Sequence, residues 1–507
     1  MMSFNWKKLQ NGSDIRGVAL EGIAGQPVNL DTRVVRRLTK AFLNWLRKNR
    51  GTETELTVAV GMDSRLSGPD LKAAFIEAAT DTGAKVLDCG LASTPAMFMT
   101  TVSDAYKADG AVMLTASHLP YNRNGLKFFT ETGGLEKQDI TDILTLAASD
   151  EMFPSNGNGS CKEIPFIDDY SAMLVDKVRK EVNDPEHYNE PLKGFKIIVD
   201  AGNGAGGFYA HKVLEILGAD VEGSQFLDPD GKFPNHIPNP EDARAMASIC
   251  KAVKEHKADL GIIFDTDVDR AAIVDGQGNP VNRNELVALS AAVVLEEHPG
   301  STVVTDSITS DGLGWFINDF LQGNHHRFKR GYKNVINEAV RKNQQGEDSW
   351  LAIETSGHAA LKENYFLDDG AYLVTKLVIK MARLKKGGHA LTDLIADLPV
   401  PAESKEFRIQ IKHPDFVNYG DEVISKLGVY ASTQFKWDLV ADNYEGVRVS
   451  CQGADQKGWF LLRLSLHDPV IPLNIESDLE GGVELIANKL VDFLSEFEYL
   501  DLSTFKK

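Results

Sequence analysis

The feature that most constrains the fold of this chain is a pattern of apolar strand, Gly- and Asp-rich turn and amphipathic helix that recurs three times. It occupies residues 56–90, 195–226 and 301–320, although the third copy ends less clearly. Because strands separated by helices pair in parallel through crossovers, this alternation predicts α/β domains. The copies begin about 105–140 residues apart, which indicates duplicated domains, since solenoid repeats are much shorter.

Length and composition breaks predict four domains. A chain of 507 residues is too long for one ordinary core. The predicted domains are 1–163, 164–279, 280–399 and 400–507. The last one changes character, because the strand-like segments EFRIQIKHPD, EGVRVSCQ and WFLLRLSLHD precede a final helix. Strands followed by a helix predict a smaller α+β domain.

Charge and cysteine usage exclude several classes of protein. The formal net charge of −19 argues against a nucleic-acid partner, because phosphate backbones require clustered Lys and Arg. The four cysteines are far apart in the sequence, which indicates free thiols in a reducing compartment. The start, MMSFNWKKLQ, lacks the apolar core of a secretory signal, and the longest apolar run, 286–295, is too short for a membrane span. A cytoplasmic protein without a membrane partner is expected.

The segment TASHLPYNRNGLKFF places a serine and a histidine, Ser117 and His118, after a short apolar strand. Pro120 and the following Asn and Gly residues predict an ordered loop at the C-terminal end of that strand. Open α/β sheets bind ligands at this end. Lys127 is expected on the same loop. Taken alone, the segment is equally compatible with a surface turn whose polar side chains cap backbone groups.

The segment GIIFDTDVDRAAIVD brings three carboxylates, Asp265, Asp267 and Asp269, to the end of an apolar strand, directly before Arg270. Such close carboxylates repel each other by roughly 1 kcal/mol per pair even in water, so a bound cation is expected on a curved loop. An EF-hand is excluded because its sixth and twelfth positions are not Gly and Glu here, and oxygen ligands alone favour Mg²⁺. A solvated acidic turn and an aspartyl-phosphate nucleophile are the alternatives.

With ETSGH at 354–358, these two segments make the chain resemble the α-D-phosphohexomutases, the phosphoglucomutase/phosphomannomutase superfamily. They are similar to its phosphoserine, magnesium and sugar-binding loops, in the same order. The resemblance implies three topologically similar α/β domains and a C-terminal α+β phosphate-binding domain around a central cleft. It also implies an intramolecular phosphotransferase that interconverts hexose 1-phosphate and hexose 6-phosphate, of glucose or mannose, through a phosphoserine and a bisphosphorylated sugar.

The resemblance assigns roles to residues of the first two loops. The serine corresponds to the phosphoserine and joins the three aspartates as implied Mg²⁺ ligands: Ser117, Asp265, Asp267 and Asp269. Arg270, and Arg16 in SDIRG, are implied catalytic residues. His118 and Lys127 are both candidates for general acid–base catalysis, and the sequence leaves open which is the base.

The resemblance also implies substrate-binding residues: Glu354, Ser356, His358, Lys333, Arg463, Ser465 and His467. Glu354 and Ser356 correspond to the pair that binds the sugar 3- and 4-hydroxyls, whereas His358 is equally compatible with support of the loop. The phosphate loop departs from the family's Arg-Pro-Ser-Gly-Thr-Glu-Pro, because Leu466 and His467 replace Gly and Thr. Leucine obstructs the close approach of phosphate that glycine permits.

The implied cofactors are Mg²⁺ and hexose 1,6-bisphosphate as activator, and the implied partner is a phosphosugar bound by a monomer or homodimer. The altered phosphate loop supports an alternative, a divergent and weakly active homologue that serves as a sugar-phosphate sensor. Asp63 and Arg65 in GMDSR are interpreted as a structural ion pair at a strand end.

Overall fold

The structure is a computed structural model that describes residues 4–51, 55–149, 157–465 and 468–506. The chain divides into two compact units, each of two segments. The first unit comprises residues 1–286 and 356–393 and the second comprises 287–355 and 394–507. Within the described residues, no helix is long and apolar enough to cross a membrane.

The first unit begins with a mixed sheet. Its strands are β1 (Gln10–Asn11), β2 (Asp14–Val18), β3 (Thr57–Met62), β4 (Lys85–Leu91), β5 (Gly110–Leu114), β6 (Arg123–Thr130), β7 (Gly133–Gly134) and β8 (Ser160–Glu163). Their order is β1-β2-β6-β5-β3-β4-β8, with β7 paired to β6. β3 is parallel to β4 and β5, whereas β6 is antiparallel to β5 and β2. The predicted parallel crossovers are therefore present, with an antiparallel hairpin after Ser117.

Five helices accompany this sheet. They are α1 (Thr32–Arg50), α2 (Gly68–Asp81), α3 (Thr94–Val102), α4 (Lys137–Ala148) and α5 (Phe166–Val182). The Asp31 side chain caps the start of α1, and Gly51 ends it at φ 60°, as a left-handed C-terminal residue does. Val35, Leu38 and Phe42 recur at helical spacing on α1 and are fully buried in the core.

A second sheet of the first unit carries the metal loop. Its strands are β9 (Ile197–Asp200), β10 (Leu260–Phe264), β11 (Ala271–Asp275) and β12 (Pro280–Val281). Their order is β12-β11-β10-β9, with β9 parallel to β10 and the other pairs antiparallel. A π-helix at Tyr209–Leu214 and α6 (Ala243–His256) lie between β9 and β10 in the sequence. The acidic residues therefore occupy the tight connection from β10 to β11.

The remaining α/β elements follow α7 (Arg283–Glu297). In the second unit these are β13 (Thr302–Thr305), α8 (Asp311–Trp315), a π-helix (Phe316–Phe320), β14 (Asn324–Arg327), α9 (Tyr332–Gln344) and β15 (Ser349–Ile353). The three strands are parallel, with β13 between the other two. The first unit then resumes with β16 (Ala359–Leu361), β17 (Leu367–Asp368) and α10 (Gly370–Lys385).

The second unit ends in an antiparallel sheet with two helices, which confirms the predicted α+β class of this part. The elements are β18 (Glu403–Ile411), α11 (Phe416–Thr433), β19 (Trp437–Leu439), β20 (Val447–Cys451), β21 (Gly458–Leu462), β22 (Val470–Ser477), α12 (Gly482–Leu494) and β23 (Leu500–Asp501). Their strand order is β19-β20-β21-β22-β18-β23. The sequence did not predict α11 or the strands β19, β22 and β23.

One local prediction was wrong: Lys127 lies on β6 and not on the serine loop. The loop ends earlier because Asn124 and Gly125 pair with β2. A Cβ at Gly125 would lie 2.3 Å from the Ile15 carbonyl oxygen and 2.7 Å from that of Thr115. Glycine here is therefore a requirement of close strand approach rather than a loop signal.

Candidate active site

Ser117 lies just beyond the C-terminal end of β5 with its backbone in an unusual conformation. Its φ is 49°, in the left-handed region that residues other than glycine seldom adopt. The residue is only 4% exposed, and its N–H donates to Thr115 Oγ1 at 2.9 Å. Such conformations cost free energy and cluster at functional sites. The predicted nucleophile is therefore held by its surroundings.

The fold brings Ser117 directly against the metal loop. Its Oγ donates to Asp265 Oδ2 at 3.0 Å and accepts from Arg270 Nη2 at 3.1 Å. Arg270 Nε also donates to Asp265 Oδ2 at 3.1 Å. The serine loop and the acidic loop, which are 148 residues apart in sequence, therefore form one cluster in the first unit.

The three aspartates converge as the sequence predicts for a cation site. Asp265, Asp267 and Asp269 are essentially fully buried, and one oxygen from each lies within 4.8 Å of the others. Val268, at φ 68°, supplies the curvature. Among the described residues, Asp267 Oδ1 and Asp269 Oδ1 are buried without a hydrogen-bond partner. Buried, unpaired carboxylate oxygens fit the requirements of a hard divalent cation.

The other oxygens of these carboxylates are held by protein donors. Thr94 Oγ1 donates to Asp267 Oδ2, and Lys127 Nζ lies 3.1 Å from the same oxygen. Lys127 also donates to Asp269 Oδ2. Asp267 and Asp269 thus each have one oxygen held by donors and one without a hydrogen-bond partner among the described residues, which orients that second oxygen. Thr94 was missed in the sequence because its position at the start of α3 gives no sign of this contact.

The charge environment differs among the aspartates. Burial and the neighbouring carboxylates raise the pKa of Asp265 well above its ordinary value. Burial acts in the same direction on Asp269, but the nearby Lys127 and His358 hold the pKa of Asp269 below its usual range. A bound divalent cation favours the charged form of every carboxylate near it. The cluster is therefore suited to binding a cation.

His118 is held as a neutral imidazole. Burial and the adjacent Arg270 lower the pKa of His118 to about 2. Arg270 Nη2 lies 2.6 Å from His118 Nδ1, and because a guanidinium only donates, Nδ1 is the acceptor. Arg16, on β2, pairs with Asp14 at 3.1 Å and also disfavours the charged form of His118.

His358 belongs to the first unit and contacts acidic residues. Its Nδ1 lies 2.6 Å from Asp368 Oδ2 and 3.9 Å from Asp269 Oδ1. Although burial alone would lower it, these two carboxylates raise the pKa of His358 to about 9. Its backbone also bridges to that of Arg270. These contacts favour support of the metal loop over sugar binding, and Asp368 is a partner that sequence reasoning missed.

The second unit contains the other part of the sugar-loop motif. Glu354 is 3% exposed, and its Oε1 accepts from the Gly331 N–H at 2.6 Å. Gly331, at φ 115°, precedes α9, whose first turn carries Lys333. Ser356, on the same ETSGH segment, is buried in the first unit.

Arg463 follows β21 and begins the connection to β22. The residue is 7% exposed, and its Nε has no hydrogen-bond partner among the described residues. Ser465 Oγ accepts from the Asp468 N–H at 3.3 Å. Leu466 and His467 lie outside the described residues. An unpaired, buried guanidinium nitrogen fits the binding of an anion.

Two acidic residues near Arg463 were not predicted. Glu445 Oε1 accepts from the Arg330 N–H at 3.0 Å and from the Ser307 hydroxyl. Asp306 lies 3.9 Å from Arg330 Nε. Burial and the Arg330 charge lower the pKa of Arg463, and the two carboxylates oppose that shift. Arg330 stands three residues before Lys333 in the sequence, so the implied substrate residue Lys333 was the available signal for it.

Comparison with known proteins identifies the family. Models of the phosphoglucomutase/phosphomannomutase alpha/beta/alpha domains I, II and III match residues 7–153, 170–278 and 282–400. A phosphomannomutase/phosphoglucomutase of Pseudomonas syringae is 31% identical over 448 residues, 87% of this chain and 88% of the relative. A phosphoglucomutase of Neisseria meningitidis is 28% identical over 433 residues, 85% of this chain and 87% of the relative.

Solved structures agree. A phosphoglucomutase/phosphomannomutase family protein of Burkholderia thailandensis has a TM-score of 0.77 at 26% identity, covering 96% of this chain and 97% of that chain. This likeness and the family models confirm the α/β class with a fourth domain. The chain therefore belongs to the phosphoglucomutase/phosphomannomutase family of the α-D-phosphohexomutase superfamily and is an enzyme of the metal-using phosphohexomutase type.

Proposed function

We propose that this phosphohexomutase interconverts the 1-phosphate and 6-phosphate of glucose or mannose through a phosphoserine at Ser117. The observation that carries the proposal is the position of Ser117 Oγ, which lies 3.0 Å from Asp265 Oδ2 and 3.1 Å from Arg270 Nη2. A hydroxyl beside a guanidinium and a cluster of carboxylates is suited to phosphoryl transfer. Relatives named phosphomannomutase/phosphoglucomutase support the same reaction.

Each half of the proposed reaction exchanges one oxygen–phosphorus bond for another. A sugar hydroxyl oxygen bonds to phosphorus while the bond from phosphorus to Ser117 Oγ breaks, giving a hexose 1,6-bisphosphate. The hydroxyl proton passes to a base, and the return transfer from the other sugar position restores the phosphoserine. Arg270, which donates to Ser117 Oγ, would donate to the transferred group and stabilise its charge.

The acidic cluster is the proposed Mg²⁺ site. The ligands would be the serine oxygen and the three carboxylates: Ser117, Asp265, Asp267 and Asp269. When bound, Mg²⁺ supplies electrostatic stabilisation of a transferring phosphoryl group. Arg270 and Lys127, both in ion pairs with these carboxylates, keep the acidic side chains oriented.

The two acid–base candidates have different starting states. His118 is neutral, and the lone pair of its Nδ1 is engaged by Arg270, so His118 would accept a proton only when that bond opens. Lys127 is ion-paired with Asp267 and Asp269, and a protonated amine can donate one. We propose that both contribute to proton transfer, and the assignment of the base remains a prediction.

The second unit supplies groups suited to the substrate. We propose that Glu354, with Ser356, binds sugar hydroxyls and that Arg463, with Ser465 and Lys333, binds phosphate. Arg463 Nε, buried and without a hydrogen-bond partner among the residues that the structure describes, supports a role toward an anion. The domain boundaries after residues 163, 279 and 399, a monomer or homodimer, and a cytoplasmic location remain predictions.

Replacement of Ser117 tests this function. Ser117→Ala should lower turnover by several orders of magnitude, because alanine has no oxygen to carry the phosphoryl group. Turnover of glucose 1-phosphate, mannose 1-phosphate and glucosamine 6-phosphate should be measured with catalytic bisphosphate and Mg²⁺. Ser171→Ala, which removes a buried hydroxyl on α5 bonded to a helix carbonyl, is the matched control.

Intact mass and peptide mapping complete the test. About 80 Da of added mass on Ser117 after incubation with hexose 1,6-bisphosphate is expected. Mass on Asp265 would instead select aspartate chemistry. More than a tenth of wild-type turnover in Ser117→Ala would remove this residue from the reaction.

A further inference from the structure

We propose that Asp63, Arg65 and Thr115 form a clamp that sets the backbone of Ser117 for phosphoryl transfer. The inference rests on the proposed role of Ser117 as nucleophile and extends it to three positioning residues. These residues will be called the Ser117 clamp. They do more than the ion pair expected from GMDSR, because they hold both peptide groups that flank the serine Cα.

The N–H side of Ser117 is fixed through a hydroxyl. The Ser117 N–H donates to Thr115 Oγ1 at 2.9 Å. The Thr115 hydroxyl in turn donates to Asp63 Oδ2 at 2.7 Å. Thr115 and Asp63 are each 1% exposed, so water does not replace these bonds. The Thr115 hydroxyl thus connects the nucleophile's backbone to the carboxylate of a neighbouring strand.

The C=O side is fixed by the Arg65 guanidinium, which is completely buried. Its Nη1 and Nη2 donate to four carbonyl oxygens of the serine loop, those of Ser117, Leu119, Pro120 and Arg123. Its Nε donates to Asp63 Oδ2 at 3.2 Å. The expected ion pair is confirmed, and the guanidinium also organises the whole turn that carries Ser117.

Together these bonds form a closed ring around Ser117. The ring runs from the Ser117 N–H through Thr115 and Asp63 to Arg65, and returns to the Ser117 carbonyl oxygen. The Arg65 guanidinium is covered by the Phe233 ring, whose centroid is 5.3 Å away. A left-handed conformation at a residue other than glycine persists only when its surroundings over-determine it. The ring supplies that constraint.

The constraint has a consequence for chemistry. The direction of Ser117 Oγ toward Asp265 and Arg270 depends on a φ of 49°. If the backbone relaxes toward an extended conformation, the Cα–Cβ bond rotates away from both partners. Misplacement of a reacting group by about 1 Å can cost a factor of about 100 in rate. The clamp should therefore control the rate of transfer without contacting the substrate.

The test compares three variants that differ by single groups. Thr115→Val removes the hydroxyl at nearly constant volume, whereas Thr115→Ser keeps it. Thr39→Val is the matched control, because Thr39 is equally buried and its hydroxyl, within the described part of the chain, bonds only to a carbonyl of α1. For each protein we would measure phosphorylation of residue 117 by glucose 1,6-bisphosphate in a single turnover, kcat, KM and the unfolding temperature.

We expect Thr115→Val to lower the phosphorylation rate and kcat at least tenfold. Its KM should stay within threefold of wild type. Its unfolding temperature should fall below that of Thr39→Val, because the buried Ser117 N–H and Asp63 each lose a partner, but the protein should stay folded at the assay temperature. Thr115→Ser should retain most of the wild-type rate. Arg65→Lys, which cannot span the four carbonyls, should behave like Thr115→Val and provides a second test if that variant fails to fold.

Three outcomes would overturn the clamp: a phosphorylation rate in Thr115→Val equal to that of Thr39→Val, equal losses in Thr115→Ser and Thr115→Val, or full activity in Arg65→Lys. Failure of the proposed function appears separately, as absence of phosphate on Ser117 in the wild-type enzyme. The wild-type measurement therefore distinguishes the two failures.

Discussion

The hydrogen bonds of individual oxygen atoms determine which of them can bind a cation in the acidic cluster. Asp267 has one oxygen held by Thr94 and Lys127 and the other buried without a partner among the described residues. Pre-orientation of this kind reduces the reorganisation needed on cation binding, because the Thr94 and Lys127 donors already hold the carboxylate in place. Asp267 Oδ1 is therefore the oxygen whose negative charge should contribute most to cation binding.

Asp267→Asn should weaken Mg²⁺ binding at least tenfold, or about 1.4 kcal/mol, and lower kcat. The amide removes one unit of ligand charge where Mg²⁺ prefers carboxylates. Titration calorimetry with MgCl₂ and turnover at saturating Mg²⁺ would measure both effects. EDTA should abolish turnover and Mg²⁺ should restore it.

A control variant tests whether the loss of Mg²⁺ binding is specific to Asp267. Asp275→Asn alters an acidic residue at the end of β11 that accepts from backbone N–H groups of its own turn. It should leave Mg²⁺ affinity unchanged. Full turnover of the wild-type enzyme in EDTA would contradict the assignment of Asp265, Asp267 and Asp269 as ligands.

A buried carboxyl in the second unit should give stability a pH dependence. Burial raises the pKa of Glu476 to about 7, although Trp459 and Arg448 oppose the shift. Between its ordinary pKa of 4.5 and about 7, the folded state binds more protons than the unfolded state. The stabilisation that the protonated Glu476 carboxyl contributes is therefore complete below the ordinary pKa. It is lost as the pH rises through the pKa of the folded state.

Glu476→Gln should remove this loss, because glutamine stays neutral and can still accept from Trp459 Nε1, which now donates to Glu476 Oε2 at 2.8 Å. Calorimetric unfolding temperatures at pH 5 and pH 8 would be compared between the two proteins. The variant should gain on wild type as pH rises, by at most about 3 kcal/mol. Parallel pH profiles would show that Glu476 does not titrate in this way.

Secondary-structure elements position the site through the loops that follow strands. The turn after β9, in DAGNGAGG, packs on the metal loop, because the Ala205 N–H donates to the Thr266 carbonyl at 2.8 Å. A Cβ at Gly204 would lie 2.6 Å from that carbonyl oxygen and 2.8 Å from Thr266 Cα. Backbone at that distance cannot move without moving Asp265 and Asp267.

Gly204→Ala should therefore lower Mg²⁺ affinity severalfold while the sheet beneath it stays folded. Gly134→Ala is the control, because its Cβ would meet only ordinary contacts beyond 3.5 Å. Calorimetric Mg²⁺ titration and far-UV circular dichroism of both variants would separate loop displacement from unfolding. Unchanged affinity in Gly204→Ala would show that the metal loop tolerates this shift.

The two units carry different groups that the proposed reaction uses. The first unit holds Ser117 and the acidic cluster, and the second holds Glu354 and Arg463. A phosphosugar has both a reacting phosphate and hydroxyls to recognise. Loss of a group in the second unit should thus change substrate binding more than the chemistry of the first.

Arg463→Lys should raise KM for hexose phosphate at least tenfold, about 1.4 kcal/mol, with a smaller effect on kcat. A guanidinium binds phosphate through two parallel bonds, whereas lysine presents a point charge. Steady-state kinetics would be compared with Arg408→Lys, an exposed arginine of β18 in the same unit. An unchanged KM in Arg463→Lys would separate this loop from substrate binding.

The sequence by itself determined the class of the fold and the kinds of chemistry present. Alternating strands and helices require crossovers, and this predicted the parallel strands around β3 and the class of the fold. Three carboxylates within five residues predicted a cation site, because charge repulsion is a local property. The serine loop, the acidic loop and ETSGH together predicted the family, which the relatives confirm.

Only the tertiary structure decided which distant groups meet and what charge they carry. It placed Lys127 on β6 against Asp267 and Asp269, and it paired His358 with Asp368. It also brought the Arg65 guanidinium within hydrogen-bond distance of the carbonyl oxygens of the serine loop. Spacing along a chain constrains neighbours, but burial and contacts across more than a hundred residues set protonation states and orientation, and these arise only when the strands have assembled.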